Sequence, residues 1–287
     1  MSRLLLSLAA GLPTMALAAT PTFTVVDLGT TPGLQWAAVQ PTVDNSATVA
    51  GGSYGSLGGG ITYIYQPITL SPYQPVDPQL PVVVAVGEST VANSGCAAMD
   101  FHAFLFLPTS AMGGTMEDLG TLGGCQSAAL SLNASHVVVG WAQESGGPTL
   151  SIAAQGGLQT AFVWHNGTMQ ALPSLLHTFT TLQESEEDTS SANGINDGGE
   201  IVGWTMQLLG TGQLAPRAVL WENGAAAEPL ELQYQLGDKS GSVILTIASA
   251  ISCQGDIAVT GYPASSSSHQ LHTYLLVHQG AHRSCPD

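Results

Sequence analysis

The chain of 287 residues is 44% hydrophobic, only 8% charged and contains 34 glycines, a composition typical of many short strands joined by tight turns. Four basic residues stand against twenty acidic ones, giving a formal net charge of −16. This balance excludes binding of nucleic acid or an anionic membrane surface through clustered cations. The acidic excess instead indicates a soluble surface of polar residues.

Residues 1–18 have the three parts of a secretory signal peptide. Arg3 supplies the positive start, residues 4–17 are mainly apolar, and Ala16-Leu17-Ala18 is a small-x-small cleavage site. No later stretch approaches the roughly 18 uninterrupted apolar residues of a membrane span. We therefore expect residues 19–287 to be exported as a single domain, to the periplasm or the extracellular space, without membrane insertion after cleavage.

Two short patterns recur along the rest of the chain. The first predicted strand, residues 22–29, closes on Asp27-Leu28-Gly29-Thr30, and the same four residue types return at 118–121. In the second pattern, an apolar residue, a polar glycine-rich turn and a returning strand together predict a β-hairpin. Its copies are Val43–Gly51, Leu132–Trp141, Ile195–Trp204 and Ile251–Val259, the last of which bulges before Gly261.

A third pattern, a polar residue followed by an apolar run, predicts another strand in each repeat. Its copies begin at His102, Thr160, Arg217 and His272, at spacings of 58, 57 and 55 residues, with a weaker copy at Ile61. Asn-Gly follows two of these copies, at 166–167 and 223–224, and predicts tight hairpins into residues 168–172 and 225–230. A period of about 55 residues with four short strands is the size of one propeller blade.

The returning strands count the repeats and predict the fold class, an all-β propeller of about five four-stranded blades. They lie at Gly51, Gly87, Gly140, Gly203 and Gly261. The chain begins with the Asp-Leu-Gly type of strand and ends with the polar-apolar type, and inside the chain the former directly follows the latter. We therefore expect the N-terminal strand to complete the final blade and remove its open edge.

Three motifs follow one another along the chain: His102-Ala103-Phe104, the glycine-rich stretch 114–124 and the hairpin 194–204. Their order is that of the HAF-repeat family, a group of repeat proteins expected to be extracellular. The chain resembles that family over residues 22–280, most closely from 100 to 225, whereas residues 61–90 depart from the pattern. The resemblance implies export and a repeated β architecture, and it implies no catalytic residues.

Four cysteines, Cys96, Cys125, Cys253 and Cys285, fit an oxidising compartment, and no Cys-x-x-Cys spacing indicates a zinc site. In the predicted propeller, loops alternate between two faces. Cys96 and Cys125 fall in loops on the same face, and so do Cys253 and Cys285. The topology thus predicts the disulfides Cys96–Cys125 and Cys253–Cys285, each contributing about 2–4 kcal/mol to stability.

Acidic and histidine residues give weaker candidates for a metal site. Residues 184–188 concentrate four carboxylates that are candidate calcium ligands. These are Glu184, Glu186, Glu187 and Asp188. The stretch lacks the spaced aspartates and the turn glycine of an EF-hand loop, so a solvated loop is the competing interpretation. His272 and His278 would lie about 20 Å apart on one strand, too far to share a metal ion.

Together these features predict a secreted, monomeric and non-enzymatic protein that acts as a binding or structural module. The expected partners are extracellular glycans or proteins, bound by loops on one face, with no cofactor other than the calcium just considered. The alternative is a carbohydrate-active hydrolase or lyase with paired carboxylates in the propeller channel. The obvious acids occupy equivalent turn positions in different repeats, which indicates a role in the fold. They are Asp44, Asp197, Glu200 and Asp256.

Overall fold

The computed structural model describes residues 23–29, 42–43, 49–50, 85–90, 101–110, 113–145, 159–176, 189–222, 224–226, 228–267 and 269–280. Its strands are β1 Phe23–Gly29, β2 Thr42–Val43, β3 Val49–Ala50, β4 Ala85–Thr90, β5 Phe101–Ser110, β6 Gly113–Asp118, β7 Gly123–Leu132, β8 Val138–Glu144, β9 Gln159–His165, β10 Thr168–Ala171, β11 Ser190–Ile195, β12 Ile201–Leu208, β13 Leu214–Trp221, β14 Leu230–Glu231, β15 Val243–Ile251, β16 Ile257–Pro263 and β17 His272–His278. Two short 3-10 helices are η1 Gly224–Ala226 and η2 Leu232–Lys239. The described part of the chain is all-β, as the sequence predicts.

Consecutive strands pair antiparallel into sheets, which we number in chain order. Sheet I contains β4, β5 and β6, sheet II contains β7 to β10, sheet III contains β11 to β14, and sheet IV contains β15, β16 and β17. One parallel bridge, between Phe101 and Gln126, joins sheet I to sheet II. The separate hairpin of β2 and β3 pairs Val43 with Val49. Each sheet corresponds to one repeat of the sequence.

The first strand of the chain belongs to the last sheet. β1 pairs antiparallel with β17, from Phe23 opposite His278 to Gly29 opposite Thr273. Sheet IV therefore has four strands in the order β1-β17-β16-β15. This pairing confirms the prediction that the N-terminal strand completes the final sheet, and it covers an edge of β17 that would otherwise expose unpaired backbone groups.

Successive sheets pack face to face through three apolar layers. The layer between sheets I and II contains Leu105 and Phe162, the next contains Val219 and Trp221, and the layer between sheets III and IV contains Leu276. Neighbouring residues of one strand serve opposite layers: Val138 packs toward sheet I and Val139 toward sheet III, and both are fully buried. A sheet that is covered on both faces has no face exposed to solvent. This explains why the third strand of each sequence repeat is apolar at consecutive positions.

Helix η2 is an element that the repeat pattern does not predict. It follows β14 directly and places Leu232 and Leu236, four residues apart, in the apolar layer between sheets III and IV. Phe23 and Val25 of β1 pack in the same layer. Helix η2 therefore helps to hold β1 in place against sheet IV.

The turn between the first and second strands has the same geometry in sheets II, III and IV. In sheet III, the Asn196 N–H donates to the Glu200 carbonyl over 3.1 Å, and the Gly199 N–H donates to the Asn196 carbonyl over 3.0 Å. The fourth turn residue has a positive φ in each copy. These residues are His136 at 58°, Gly199 at 79° and Gly255 at 92°. The pattern is a type I turn followed by a left-handed residue, a common hairpin connection.

A glycine of each returning strand lies opposite a β-bulge in the first strand of its sheet. β7, β11 and β15 carry these bulges. A Cβ atom on Gly203 would overlap the carbonyl oxygen of Ser191. The same overlap arises between Gly140 and Ala128 and between Gly261 and Ile244. The glycine of the Gly-aromatic motif is therefore required by a close backbone approach.

The two predicted Asn-Gly hairpins have different outcomes. The Asn166-Gly167 turn is confirmed, with Thr168 opposite His165. The strand expected at 225–230 is wrong, because the structure has η1 there and only the two-residue strand β14. Pro229 precedes β14 and has no N–H to donate to a ladder, which accounts for the short strand.

The irregularity expected before Gly261 lies in the facing strand. β15 carries two bulges, between Leu245 and Ile247 and between Ala248 and Ala250, whereas β16 has no register shift against β17. Each bulge adds one residue to β15, and both extra residues lie opposite the stretch from Ile257 to Gly261. This stretch is longer than the equivalent stretch in the other hairpin copies. The fourth hairpin copy therefore keeps the repeat geometry with a longer motif.

Candidate functional site

Antiparallel pairing gives every sheet two distinct ends. The turn end carries the fixed five-residue turns 133–137, 196–200 and 252–256. The loop end carries the connections between the second and third strands, which differ in length: 145–158, 209–213 and 264–271. The long connection 172–189 between β10 and β11 also starts and finishes at the loop end. The described turns thus repeat one geometry at one end of the sheets, whereas the connections that leave and re-enter the other end differ in length.

The clearest recurrent polar feature is a histidine–aspartate pair near the loop end. His102 Nδ1 lies 3.0 Å from both carboxylate oxygens of Asp118. His272 Nδ1 lies 2.8 Å and 3.0 Å from the two oxygens of Asp27. In both pairs the histidine is largely covered and the aspartate is about half exposed. The pairs explain the recurring His and Asp-Leu-Gly motifs, because the two motifs are neighbours in one sheet.

Sheet III holds the same pair in another chemical form. The Arg217 Nε lies 3.6 Å from Glu231 Oε1, with both side chains less than a tenth exposed. The register establishes the equivalence, because each acid lies opposite the residue two positions after its His or Arg partner. These opposed residues are Phe104 and Asp118, Val219 and Glu231, and Tyr274 and Asp27.

Sheet II lacks both members of the pair. Thr160 stands at the position of the His or Arg, and Ala171, opposite Phe162, stands at the position of the acid. The four described repeats therefore carry either a complete pair of a His or Arg with a carboxylate or neither partner. In the buried Arg217–Glu231 pair an isolated charge would be costly, so replacement of both partners together is what a structural pair requires.

The buried pair in sheet III has further partners. Gln207 Nε2 donates to Glu231 Oε2 over 2.6 Å, and Arg217 Nη1 donates to the Pro216 carbonyl over 2.9 Å. Glu231 Oε1 has no hydrogen-bond donor among the described residues, since the Arg217 contact is too long for a hydrogen bond. Burial raises the pKa of Glu231, against the opposing effects of the Gln207 hydrogen bond and the Arg217 charge.

At the turn end, asparagine side chains link neighbouring sheets. Asn133 Nδ2 donates to the Asn196 carbonyl over 3.2 Å, and Asn196 Nδ2 donates to the Ser252 carbonyl over 3.1 Å. The Oδ1 of each asparagine accepts a backbone N–H of its own turn, from Val137 and from Glu200. Asn133 and Asn196 are both buried. In sheets II and III one asparagine thus stabilises both its own turn and the turn of the next sheet.

The acids considered for catalysis also make turn contacts. Asp197 Oδ1 accepts the Ala134 N–H of the adjacent sheet over 2.8 Å. Glu200 Oε2 accepts Asn196 Nδ2 over 2.7 Å, and Asp256 Oδ1 accepts the His278 N–H over 2.9 Å. Asp44 lies outside the described residues. The three described acids are therefore parts of the repeat geometry.

Two buried serines join sheets in a way that the sequence motifs do not indicate. Ser127 Oγ accepts the Ala103 N–H and Ser190 Oγ accepts the Ala161 N–H, each over 2.8 Å. Both serines lie in the first strand of one sheet, and both N–H groups lie in the third strand of the sheet before it. The signal was a serine at the same position of β7 and β11, which is hard to distinguish among many small residues.

Of the predicted cysteines, Cys125 and Cys253 are each disulfide-bonded. Their predicted partners, Cys96 and Cys285, lie outside the described residues, so the pairing stays a prediction. The candidate calcium ligands of residues 184–188 also lie outside. Within the described ranges, no group of three or more His, Cys, Asp or Glu side chains could hold a metal ion. Nor does any described helix have the length and apolar character to cross a membrane.

The comparisons with known proteins leave the chain without an assigned family. No protein-family model matches it, and it has no match among curated proteins or solved structures.

Proposed function

We propose that this chain is a secreted, non-enzymatic repeat protein whose β scaffold presents loops that bind extracellular glycans or proteins. The observation that carries the proposal is the role of the recurrent polar residues. The pairs of His or Arg with a carboxylate, the turn asparagines and the turn acids all contact other parts of the repeats. Fixed contacts at equivalent positions are typical of a scaffold, and they leave binding to segments that differ between repeats.

The finer architecture we propose is a β-propeller of about five four-stranded blades. Sheets II, III and IV have four strands each when β1 is included, and successive sheets pack face to face. β2 also lies against β15 and β16, so the first hairpin after β1 neighbours the last sheet. A closed ring would account for this proximity. Small-angle X-ray scattering of residues 19–287 should give a compact monomer, and an elongated particle would contradict the ring.

Export and membership in the HAF-repeat family form a second part of the proposal. The signal-like residues 1–18, the disulfide-bonded Cys125 and Cys253, and the motifs at 102–104 and 194–204 support it. The test is expression of the full chain followed by fractionation and N-terminal sequencing. We expect an extracytoplasmic protein that starts at Ala19, and a cytoplasmic protein that retains Met1 would overturn export.

Binding should occur at the loop end. Purified residues 19–287 can be screened against glycan arrays and immobilised envelope proteins. A variant in which residues 146–158 are shortened to the length of connection 209–213 should lose binding. His136→Gly at the turn end is the matched control, because glycine suits its φ of 58°. Equal loss of binding in both variants, with unchanged melting temperatures, would contradict a loop-end site.

The same samples test the alternatives. Release of reducing or unsaturated sugar ends from a bound polysaccharide would favour a carbohydrate-active hydrolase or lyase over a binding module. Calcium bound by residues 184–188 would show as a melting temperature that falls on addition of EDTA and recovers on addition of calcium. We expect neither response, because the scaffold contacts described above need no metal and no reacting carboxylate.

A further inference from the structure

We propose that Asn166 is a site of spontaneous deamidation, through attack by the backbone nitrogen of Gly167. Asn166 and Gly167 form the whole connection between β9 and β10, with φ of 49° and 79°. Both residues are exposed, and a Cβ on Gly167 would meet no atom within 4 Å. The attacking nitrogen and the side-chain carbonyl carbon are thus accessible in a two-residue turn at the tip of a hairpin.

The reaction needs only water. The Gly167 nitrogen forms a bond to Cγ of Asn166, the Cγ–Nδ2 bond breaks, and ammonia leaves with the proton of the former N–H. Water then opens the five-membered succinimide at either carbonyl. One opening gives aspartate, and the other gives isoaspartate, in which the main chain runs through the former side chain. No oxidant or reductant is involved.

A second Asn-Gly pair in the same chain is held in a different environment. Asn193 Nδ2 donates to the Ala248 carbonyl and its Oδ1 accepts from Ser191 Oγ, both over 2.8 Å. Gly194 is buried in β11, where a Cβ would lie 3.1 Å from the Ala250 Cα. Succinimide formation at Asn193 would break these contacts between sheets III and IV. The third pair, at 223–224, includes Asn223, which lies outside the described residues.

The difference between the two sites is the free energy of local opening. β10 is a four-residue edge strand in which Thr168, Gln170 and Ala171 are exposed, so fraying of the hairpin tip costs little. β11 is buried between two sheets and opens only when those sheets separate. A difference of about 1.4 kcal/mol in opening free energy changes the rate about tenfold. We expect at least this difference between an exposed hairpin tip and a buried strand, and therefore a reaction at Asn166 at least about tenfold faster than at Asn193.

Modification would alter the hairpin in two ways. Either product adds a negative charge at the tip, and isoaspartate also adds a methylene group to the main chain of a turn that fixes the strand register. β10 would lose its register with β9, where Met169 lies opposite the buried Trp164. Deamidated protein should therefore show a loosened β10.

Peptide mapping of purified full-length protein over time, in mildly alkaline buffer, tests the proposal. We expect the mass gain of deamidation, and isoaspartate by enzymatic methylation, at Asn166 at least about tenfold faster than at Asn193. Equal rates at the two sites, or no reaction at Asn166 when the denatured chain reacts at both, would overturn it. Asn166→Asp adds the charge without the extra methylene, so a melting temperature unchanged in this variant but lowered in aged protein would identify the backbone insertion as the damaging change.

Discussion

At the residue scale, one close contact or one unpaired atom can determine which side chain a position tolerates. Gly203 is fixed by the Ser191 carbonyl oxygen against its Cα. Tyr274 shows the opposite case, because its hydroxyl is buried and has no hydrogen-bond partner among the described residues. The equivalent residues of other sheets are Phe104, Phe162 and Val219, none of which has a hydroxyl. The hydroxyl oxygen of Tyr274 therefore adds a free-energy cost that the equivalent residues of the other sheets do not have.

Tyr274→Phe should stabilise the protein. It removes a buried, unpaired hydroxyl, which costs about 1 kcal/mol or more, and keeps the ring that packs between sheets III and IV. Denaturant unfolding at pH 7 measures the change. Tyr234→Phe is the matched control, because Tyr234 is 65% exposed and its loss of a hydroxyl should be neutral. Destabilisation by Tyr274→Phe would mean that the hydroxyl has a bound partner.

The same residue predicts a dependence on alkaline pH. Burial, and to a smaller extent the charge of Asp27, raises the pKa of Tyr274 above its ordinary value of 10.0. The unfolded chain loses this proton near pH 10 while the folded chain keeps it, so stability falls as pH rises beyond that value. Tyr274→Phe should lose less stability than the parent protein above pH 10, as measured by unfolding in alkaline buffers. Parallel losses would contradict the burial of this phenol.

Gly203→Ala should be strongly destabilising although alanine is small. The added methyl would overlap the Ser191 carbonyl oxygen, and separating β11 from β12 to relieve it should cost about 1–3 kcal/mol. Gly210→Ala is the control, because a Cβ there meets no atom within 4 Å. Thermal unfolding of the two variants compares them directly. A similar melting temperature for both would mean that the bulge can shift without cost.

At the element scale, the polar pair shows what the sequence could and could not predict. The third strands were predictable, because each is an apolar run that starts with a polar residue at a nearly constant spacing. The pair itself was hidden, because the sequence aligns His102, Thr160 and Arg217 as equivalent positions but only the strand register shows which acid, if any, lies beside each. Helix η2 was missed for a related reason: its two core leucines follow β14 without a break, so a repeat of strands conceals them.

Replacing the Arg217–Glu231 pair should reveal coupling between its members. Arg217→Thr or Glu231→Ala alone leaves a buried charge unpaired and should cost about 3–5 kcal/mol. The double variant recreates the Thr160 and Ala171 of sheet II and should cost much less than the sum of the single variants. A double-mutant cycle by urea unfolding measures this, and additive losses would contradict the pair as one structural unit.

The Arg217→Thr variant should also be sensitive to pH. Burial already raises the pKa of Glu231, and loss of the arginine charge removes one of the effects that lower it. The folded variant then binds a proton above the ordinary pKa of 4.5 that the unfolded chain releases, so stability falls as pH rises above that value. Unfolding measured between acidic and neutral pH should show partial recovery at the acidic end, absent in the double variant.

At the scale of the whole molecule, equivalent contacts acquire different importance from the path of the chain. The His102–Asp118 pair joins β5 and β6, which are connected by residues 111–112 alone. The His272–Asp27 pair joins β17 to β1, which lies at the other end of the described sequence. A strand held by a short connection re-forms its contacts readily after opening, whereas β1 depends on its contacts with sheet IV and η2.

Asp27→Ala should therefore loosen β1 more than Asp118→Ala loosens β6. A partly exposed pair contributes about 0.2–1 kcal/mol, so removing Asp27 should raise amide hydrogen exchange in β1 and at its partners in β17 by up to about 5-fold. In Asp118→Ala the short β5–β6 connection should limit the corresponding increase. Mass-spectrometric exchange at neutral pH resolves both strands. Equal increases in the two variants would mean that β1 is no more easily detached from its sheet than β6, and that the apolar contacts of Phe23 and Val25 are enough to hold β1 against sheet IV.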